Sequence, residues 1–322
     1  MKISRAISQY LSHCKHVKNL SHHSIKAYTI DLAEFEQFVG GRKGLKTIGR
    51  EQIRAYVQHL FEEKHLKETS IKRKVACLKC MYRWYEIEGE IIQNPFRIMD
   101  LKIKLPKQLP RALTKKELKL LLKGSLKKLG HNHRDAYKSE DIVKQATNRN
   151  GFSLLTSQLA IELLFATGIR VNELVNIEEN DISVADRTIK IKGKGNRERI
   201  VFLPDQQIAN LINIYQSARK HLTPKTSTLL INTRGGALNT QMVRLLIRKT
   251  AEQAKIQRRI TPHMIRHSAA THLLDSGVDI RHVQKLLGHQ SITTTQLYTH
   301  VSDAQLKSVI CKSHPMGRLM GG

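Results

Sequence analysis

Acidic side chains are scarce in this chain. Its 27 Asp+Glu stand against 55 Lys+Arg, leaving a formal charge of +28. That excess is more than solubility requires and points to a polyanionic partner, of which nucleic acid is the commonest. It is also spread along the chain, +9 over residues 1–106 and +19 over 107–322, so both halves are expected to face the same polyanion. Cysteine is sparser still. Cys14, Cys77, Cys80 and Cys311 are too few, in 322 residues, to staple a disulfide framework. Cys77 and Cys80 have the C-x-x-C spacing of zinc ligands, but no second pair completes a site, and the helical pattern around them reads as buried packing. Long apolar runs are missing too. No stretch of about 20 apolar residues could cross a bilayer, and Met1-Lys2-Ile3-Ser4-Arg5 is not followed by the apolar core of a signal peptide. The expected setting is a reducing cytoplasm with no membrane partner, and no internal repeat is apparent.

What is present reads as two domains. With 40% hydrophobic residues, 322 positions suffice for two cores. Residues 1–105 follow helical periodicity. Ile25, Tyr28, Leu32, Phe35 and Phe38 recur at three and four, as do Val75, Leu78, Tyr82 and Tyr85. Lys72, Arg73 and Lys74 open the second of these helices and are candidate DNA contacts. Asn94-Pro95-Phe96 ends the helical run. Pro106 and Pro110 mark 106–112 as a linker. Thr114, followed three positions later by Glu117, restarts a helix with a capping box.

The region 113–322 is mixed. Residues 124–152 are polar, basic and weakly periodic, and read as a flexible loop or as a contact to DNA or a partner, between which the sequence does not decide. An apolar helix follows from Leu159 to Phe165 and closes at Gly168. The period then changes to two: Thr188-Ile189-Lys190-Ile191-Lys192 alternates, Gly193-Lys194-Gly195-Asn196 reads as a turn, and Glu198 to Leu203 continues. Asp181–Val184 is expected to complete a small antiparallel sheet. Helices resume over 205–221, 239–256 and from Pro262 onward. The fold class is mainly α with a small antiparallel sheet.

Transfer of a phosphodiester needs charge on the nonbridging oxygens, an aligned nucleophile and a proton for the leaving oxygen. Arginine suits the first task, because its planar fork grips two oxygens and keeps its proton. Arg170 follows Gly168 at a helix start, where backbone N–H groups also favour an anion; taken alone, such an arginine is more often a surface ion pair. His263 and Arg266 share one helical face, behind Pro262. His263 and His267 have the spacing of H-E-x-x-H, but Met264 stands where the glutamate base belongs, so hydrolytic zinc chemistry lacks its base. Lys194 sits at a hairpin tip 24 residues after Arg170, outside any phosphate-loop frame, and a lysine beside other cations lowers its pKa enough to serve as an acid. Lys190, Lys192 and Arg197 compete for that place, Lys192 first among them, and Lys192 and Arg197 are candidate DNA contacts as well. His289 closes Leu286-Leu287-Gly288, and Tyr298 follows after nine residues on a helix that Ser291 is placed to cap.

Three segments together, Ala166-Thr167-Gly168-Ile169-Arg170-Val171-Asn172-Glu173-Leu174, Thr261-Pro262-His263-Met264-Ile265-Arg266-His267 and Leu286-Leu287-Gly288-His289 with Thr295-Gln296-Leu297-Tyr298, resemble the tyrosine recombinases of the lambda-integrase family, Xer-type members above all. The resemblance extends over most of the chain, including the N-terminal helices and a tail like the Xer terminus. It implies an N-terminal core-binding helical bundle (1–105), a catalytic domain (113–322) and a C-terminal oligomerisation helix near 302–315 that docks on a neighbour. It assigns Arg170 and Arg266 to the phosphate, Lys194 to general acid, His263 and His289 to proton handling or orientation, Glu173 to support of Arg170, and Tyr298 to the nucleophile. It further implies a clamp around duplex DNA bearing inverted recognition arms, a homo- or hetero-tetramer on paired sites, and chemistry without metal, nucleotide or other cofactor. Residues 124–152 stand out as an insertion against the Xer pattern. A type IB topoisomerase-like relaxing enzyme, or a DNA-binding regulator without catalysis, are the other readings such a chain allows.

Overall fold

The computed structural model describes residues 1–97, 99, 101, 103–104, 112–129, 141–193, 198–288 and 303–316. Two compact units emerge, Met1–Gln108 and Leu109–Gly322.

The first unit contains α1 (Ile3–His16), α2 (His22–Val39), α3 (Arg50–Glu62) and α4 (Glu68–Ile87). The expected stripe on α4 is its buried face: Ile71, Val75, Leu78, Tyr82 and Tyr85 are all nearly solvent-free. Aromatic rings fill much of this core. Tyr10 lies 5.6 Å from Trp84 and 6.3 Å from Tyr28, centroid to centroid. Buried hydroxyls need acceptors, and Tyr85 Oη donates to the Ala6 carbonyl at 2.7 Å. Cys77 is buried here as expected; Cys80, three residues on, is exposed.

Lys74 requires a correction. It is buried rather than presented to DNA, because it falls three residues after Ile71 and four before Leu78, on the apolar stripe. Its ammonium donates to Asp31 at 3.0 Å and to Glu34 at 2.6 Å. Arg73 pairs with the same Asp31. Burial alone would lower the Lys74 pKa; the two carboxylates outweigh burial and raise it. Lys72, on the outer side of the helix, is exposed.

In the second unit, α5 (Lys115–Lys128), α6 (Asp141–Gln145), α7 (Arg149–Thr167) and α8 (Val171–Val175) lead to a three-stranded antiparallel sheet, β1 (Ile182–Ser183), β2 (Thr188–Lys192) and β3 (Glu198–Phe202), in the order β1-β2-β3. Then follow α9 (Gln206–Lys220), α10 (Thr240–Gln253), α11 (Pro262–Asp275), α12 (Ile280–Leu287) and α13 (Asp303–Ser313). Helix α7 is the axis of this unit. It is apolar all round, as a helix enclosed by others must be, and α5, α9, α10 and α11 pack against it. Among its polar side chains, Gln158 Nε2 donates to the Leu122 carbonyl and to Glu162. The capping box at Thr114–Glu117 forms reciprocally, with Thr114 N–H to Glu117 at 2.8 Å and Glu117 N–H to Thr114 Oγ1 at 3.2 Å.

One further expectation is corrected. The described part of 124–152 is not a loop: α5 runs through Lys128, α6 fills Asp141–Gln145 and α7 begins at Arg149. Leu126, Leu129, Ile142, Ala146 and Phe152 are buried in the main core, and that burial holds these turns in place. Helix α13 occupies the expected position, and its Leu306 and Ile310 are buried in a cluster with Val283, Leu286 and Phe202 of the same unit.

Candidate active site

The site is built where two backbone turns meet a strand. The first closes α7. Gly168 takes the left-handed conformation (φ 61°) that ends the helix, which strains any side chain, and a Cβ there would stand 2.7 Å from Leu287 Cδ2, so that leucine would have to shift. Arg170 follows two residues later and caps α8. The second turn closes α12 at Gly288, also left-handed (φ 63°). The third element is β3, which brings in Arg199.

Arg266 ties the two turns together. From the middle of α11 it donates to the carbonyls of Gly168 and, at 2.8 Å, of Leu287. The side chain is buried, and burial pushes its guanidinium pKa down to about 10, with Arg170 and Arg199 adding repulsion and Glu173 opposing it. Arg170 is 44% exposed and so can meet a ligand. His263 lies one turn before Arg266 on the same helix and is exposed.

Glu173 sits at the centre. Its two oxygens accept from both arms of Arg199, each at 2.9 Å, from the Arg170 side chain at 3.1 Å and from the Arg170 backbone N–H at 2.8 Å. Burial alone would raise its carboxyl; the Arg199 fork and the Arg170 N–H outweigh burial and hold it below the usual range. The Arg170 N–H at the start of α8 is taken by Glu173, and α8 spans only five residues.

The result is three arginines around one carboxylate. A buried charge set is stable only when paired, and here two positive charges exceed the single negative one. An incoming anion with several oxygens, such as a phosphodiester, would relieve that excess.

Sequence reasoning brought Arg170, Glu173 and Arg266 to this place but missed Arg199. The signal was available: β3 alternates, and Arg199 shares the inward face with Val201. Lys192, on the exposed side of β2, lies 3.5 Å from Glu178 and 3.7 Å from Asp181. Lys190 pairs with Glu198 at 2.8 Å. Lys194, Arg197, His289 and Tyr298 lie outside the described residues. No group of three or more His, Cys, Asp or Glu among the described residues is placed to hold a metal ion. None of the described helices is long and apolar enough to cross a membrane.

An arginine-rich site on a mainly helical unit, after a separate helical unit, defines a class, and comparison with known proteins names it. The Phage integrase family matches residues 137–305, and its N-terminal SAM-like domain matches residues 7–89. The chain is 34% identical over 315 residues to a tyrosine recombinase of Agathobacter rectalis, covering 96% of both proteins. It is 33% identical over 310 residues to the tyrosine recombinase XerC of Staphylococcus aureus, again covering 96% of each. The chain belongs to the phage integrase family and is a tyrosine recombinase, an enzyme that cleaves and rejoins DNA strands. Its relatives are of the Xer type, which favours site-specific recombination over relaxation alone or non-catalytic binding. Among solved structures it is similar to the XerH site-specific recombinase bound to its difH substrate before cleavage (25% identity, TM-score 0.63, 94% of this chain and 82% of that one). The fold also matches a lambda integrase dimer bound to a COC′ core site (18% identity, TM-score 0.63, 93% of this chain and all of the other).

Proposed function

We propose that the chain recombines DNA at specific sites through a 3′-phosphotyrosine formed on Tyr298. The observation that carries this reading is the surplus of cations around Glu173. Arg170 and Arg266 take the nonbridging oxygens of the scissile phosphate and neutralise the charge that builds up as phosphorus becomes five-coordinate. The Tyr298 phenol loses its proton, and its oxygen attacks phosphorus. The P–O5′ bond breaks as the Tyr–O–P bond forms, and Lys194 gives a proton to the leaving 5′ oxygen. His263 and His289 orient the phosphate and handle the tyrosine proton. The free 5′-hydroxyl of a partner strand then attacks the phosphotyrosine, so one diester is exchanged for another. Bond energy is conserved, and neither nucleotide nor metal is called for.

Two duplexes, each cut at two positions, require four protomers, identical or paired with a second recombinase, on sites with inverted recognition arms. Lys72, Arg73, Lys192 and Arg197 add contacts to the DNA backbone, and the cytoplasm is the place of action. The test of the nucleophile is Tyr298→Phe, which removes one hydroxyl. Covalent adduct on a suicide substrate should disappear while duplex binding stays nearly intact. An adduct formed by the variant would remove Tyr298 from this role.

A further inference from the structure

We infer that Arg199 is a positioning residue for strand cleavage, setting Arg170 through Glu173 and fixing the distance between the hairpin and the turn before His289. Three observations carry this.

First, Arg199 grips both oxygens of Glu173 at 2.9 Å each, the two-pronged geometry that specifies orientation as well as charge. The same carboxylate holds the Arg170 backbone and side chain, so the direction of Arg170 is set through Glu173 by Arg199. Second, the other side of Arg199 lies flat on Gly288. A Cβ at that position would come 3.1 Å from Nε, 3.2 Å from Cζ and 3.3 Å from Cδ. Arg199 Nε is buried there without a hydrogen-bond partner, so the contact is one of shape. Third, the position in the chain matters. Arg199 stands at the start of β3, immediately after the segment carrying Lys194, and Gly288 immediately precedes His289. Its side chain is only 20% exposed, against 44% for Arg170. Arg170 is the arginine offered to DNA, and Arg199 stands behind it.

The inference rests on the strand-transfer reading above, so its test keeps the two apart. Cleavage of a suicide substrate is measured under single turnover, beside duplex affinity and thermal melting, for Arg199→Lys, Glu173→Ala, the double variant and Gly288→Ala. Arg199→Lys keeps the charge but loses the fork. Its cleavage constant should fall about 10- to 100-fold, the usual cost of misplacing a supporting group, with affinity nearly unchanged. Combining it with Glu173→Ala should add little, because both act on Arg170 through one contact. Gly288→Ala should reproduce the loss from the opposite side of the guanidinium.

Additive effects of Arg199→Lys and Glu173→Ala would mean that Arg199 acts on DNA directly, and would overturn the inference. So would melting that falls while cleavage per bound complex is unchanged, or full cleavage by Arg199→Lys. If wild-type protein forms no adduct at all, the strand-transfer reading fails and this inference falls with it.

Discussion

Each unit of the protein holds a cluster of opposed charges, and the two differ in their balance. In the N-terminal unit Asp31 and Glu34 face Arg73 and Lys74, two acids for two bases, with Asp31 and Lys74 nearly solvent-free. In the C-terminal unit Glu173 alone faces Arg170 and Arg199, and Arg266 stands close by. The first cluster is complete and holds helix to helix. The second remains electrically unfinished, with one half-exposed arginine at its edge. Surplus charge that the fold has not neutralised, rather than the presence of charge, marks the functional site.

The comparison is tested most severely by removing one cation from each cluster. Arg266→Ala should slow cleavage of bound DNA by about 10²–10³-fold, the scale for losing one charged donor to a transition state. Lys74→Met should leave cleavage per folded molecule unchanged. Equal losses of cleavage would mean that the two clusters do not differ in kind.

Removing an acid should reverse the pattern. Asp31→Ala strands Lys74 beside Glu34 alone and should cost about 3 kcal/mol of unfolding free energy in a denaturant titration, the low end for a broken buried pair. A change near zero would show that the N-terminal cluster contributes nothing to stability.

Acid titration gives the smallest and most gradual difference. The Glu173 carboxyl is held below its ordinary value, so the folded state binds its proton less readily than the unfolded chain. Its contribution is present above the unfolded value of about 4.5 and is lost as pH falls through the lower folded value. Glu173→Gln should remove that part of the slope from a plot of melting temperature against pH below about 4.5. An unchanged slope would place the acid sensitivity elsewhere; Glu117, drawn down to about 2 by Arg258, is another source.

Much of the fold is legible in the amino-acid sequence. The apolar helix to Gly168, the alternation of β2 and β3 and the capping box at Thr114 each follow a local rule, and each appears where that rule puts it. What local patterns miss is set by contacts distant in sequence. Lys72-Arg73-Lys74 reads as a basic patch until the third position is seen to fall on the apolar stripe. Residues around Leu126 and Ile142 look polar, yet Leu126, Leu129, Ile142 and Ala146 are all used by the core. The alternation of β3 turns Arg199 inward, but nothing local says what it meets there: Glu173, 26 positions earlier, and Gly288, far later in the chain.

If the uncompensated positive charge around Glu173 exists to meet the negative charge of a phosphodiester, neutralising that charge on the DNA is the most direct test. A substrate with a methylphosphonate at the scissile position lacks one charged oxygen. On this substrate the cleavage defect of Arg266→Ala, relative to wild type, should shrink at least about tenfold for one of the two diastereomers. A defect equally deep on charged and neutral substrates would contradict the account, and would make Arg266 a brace between the Gly168 and Leu287 turns and nothing more.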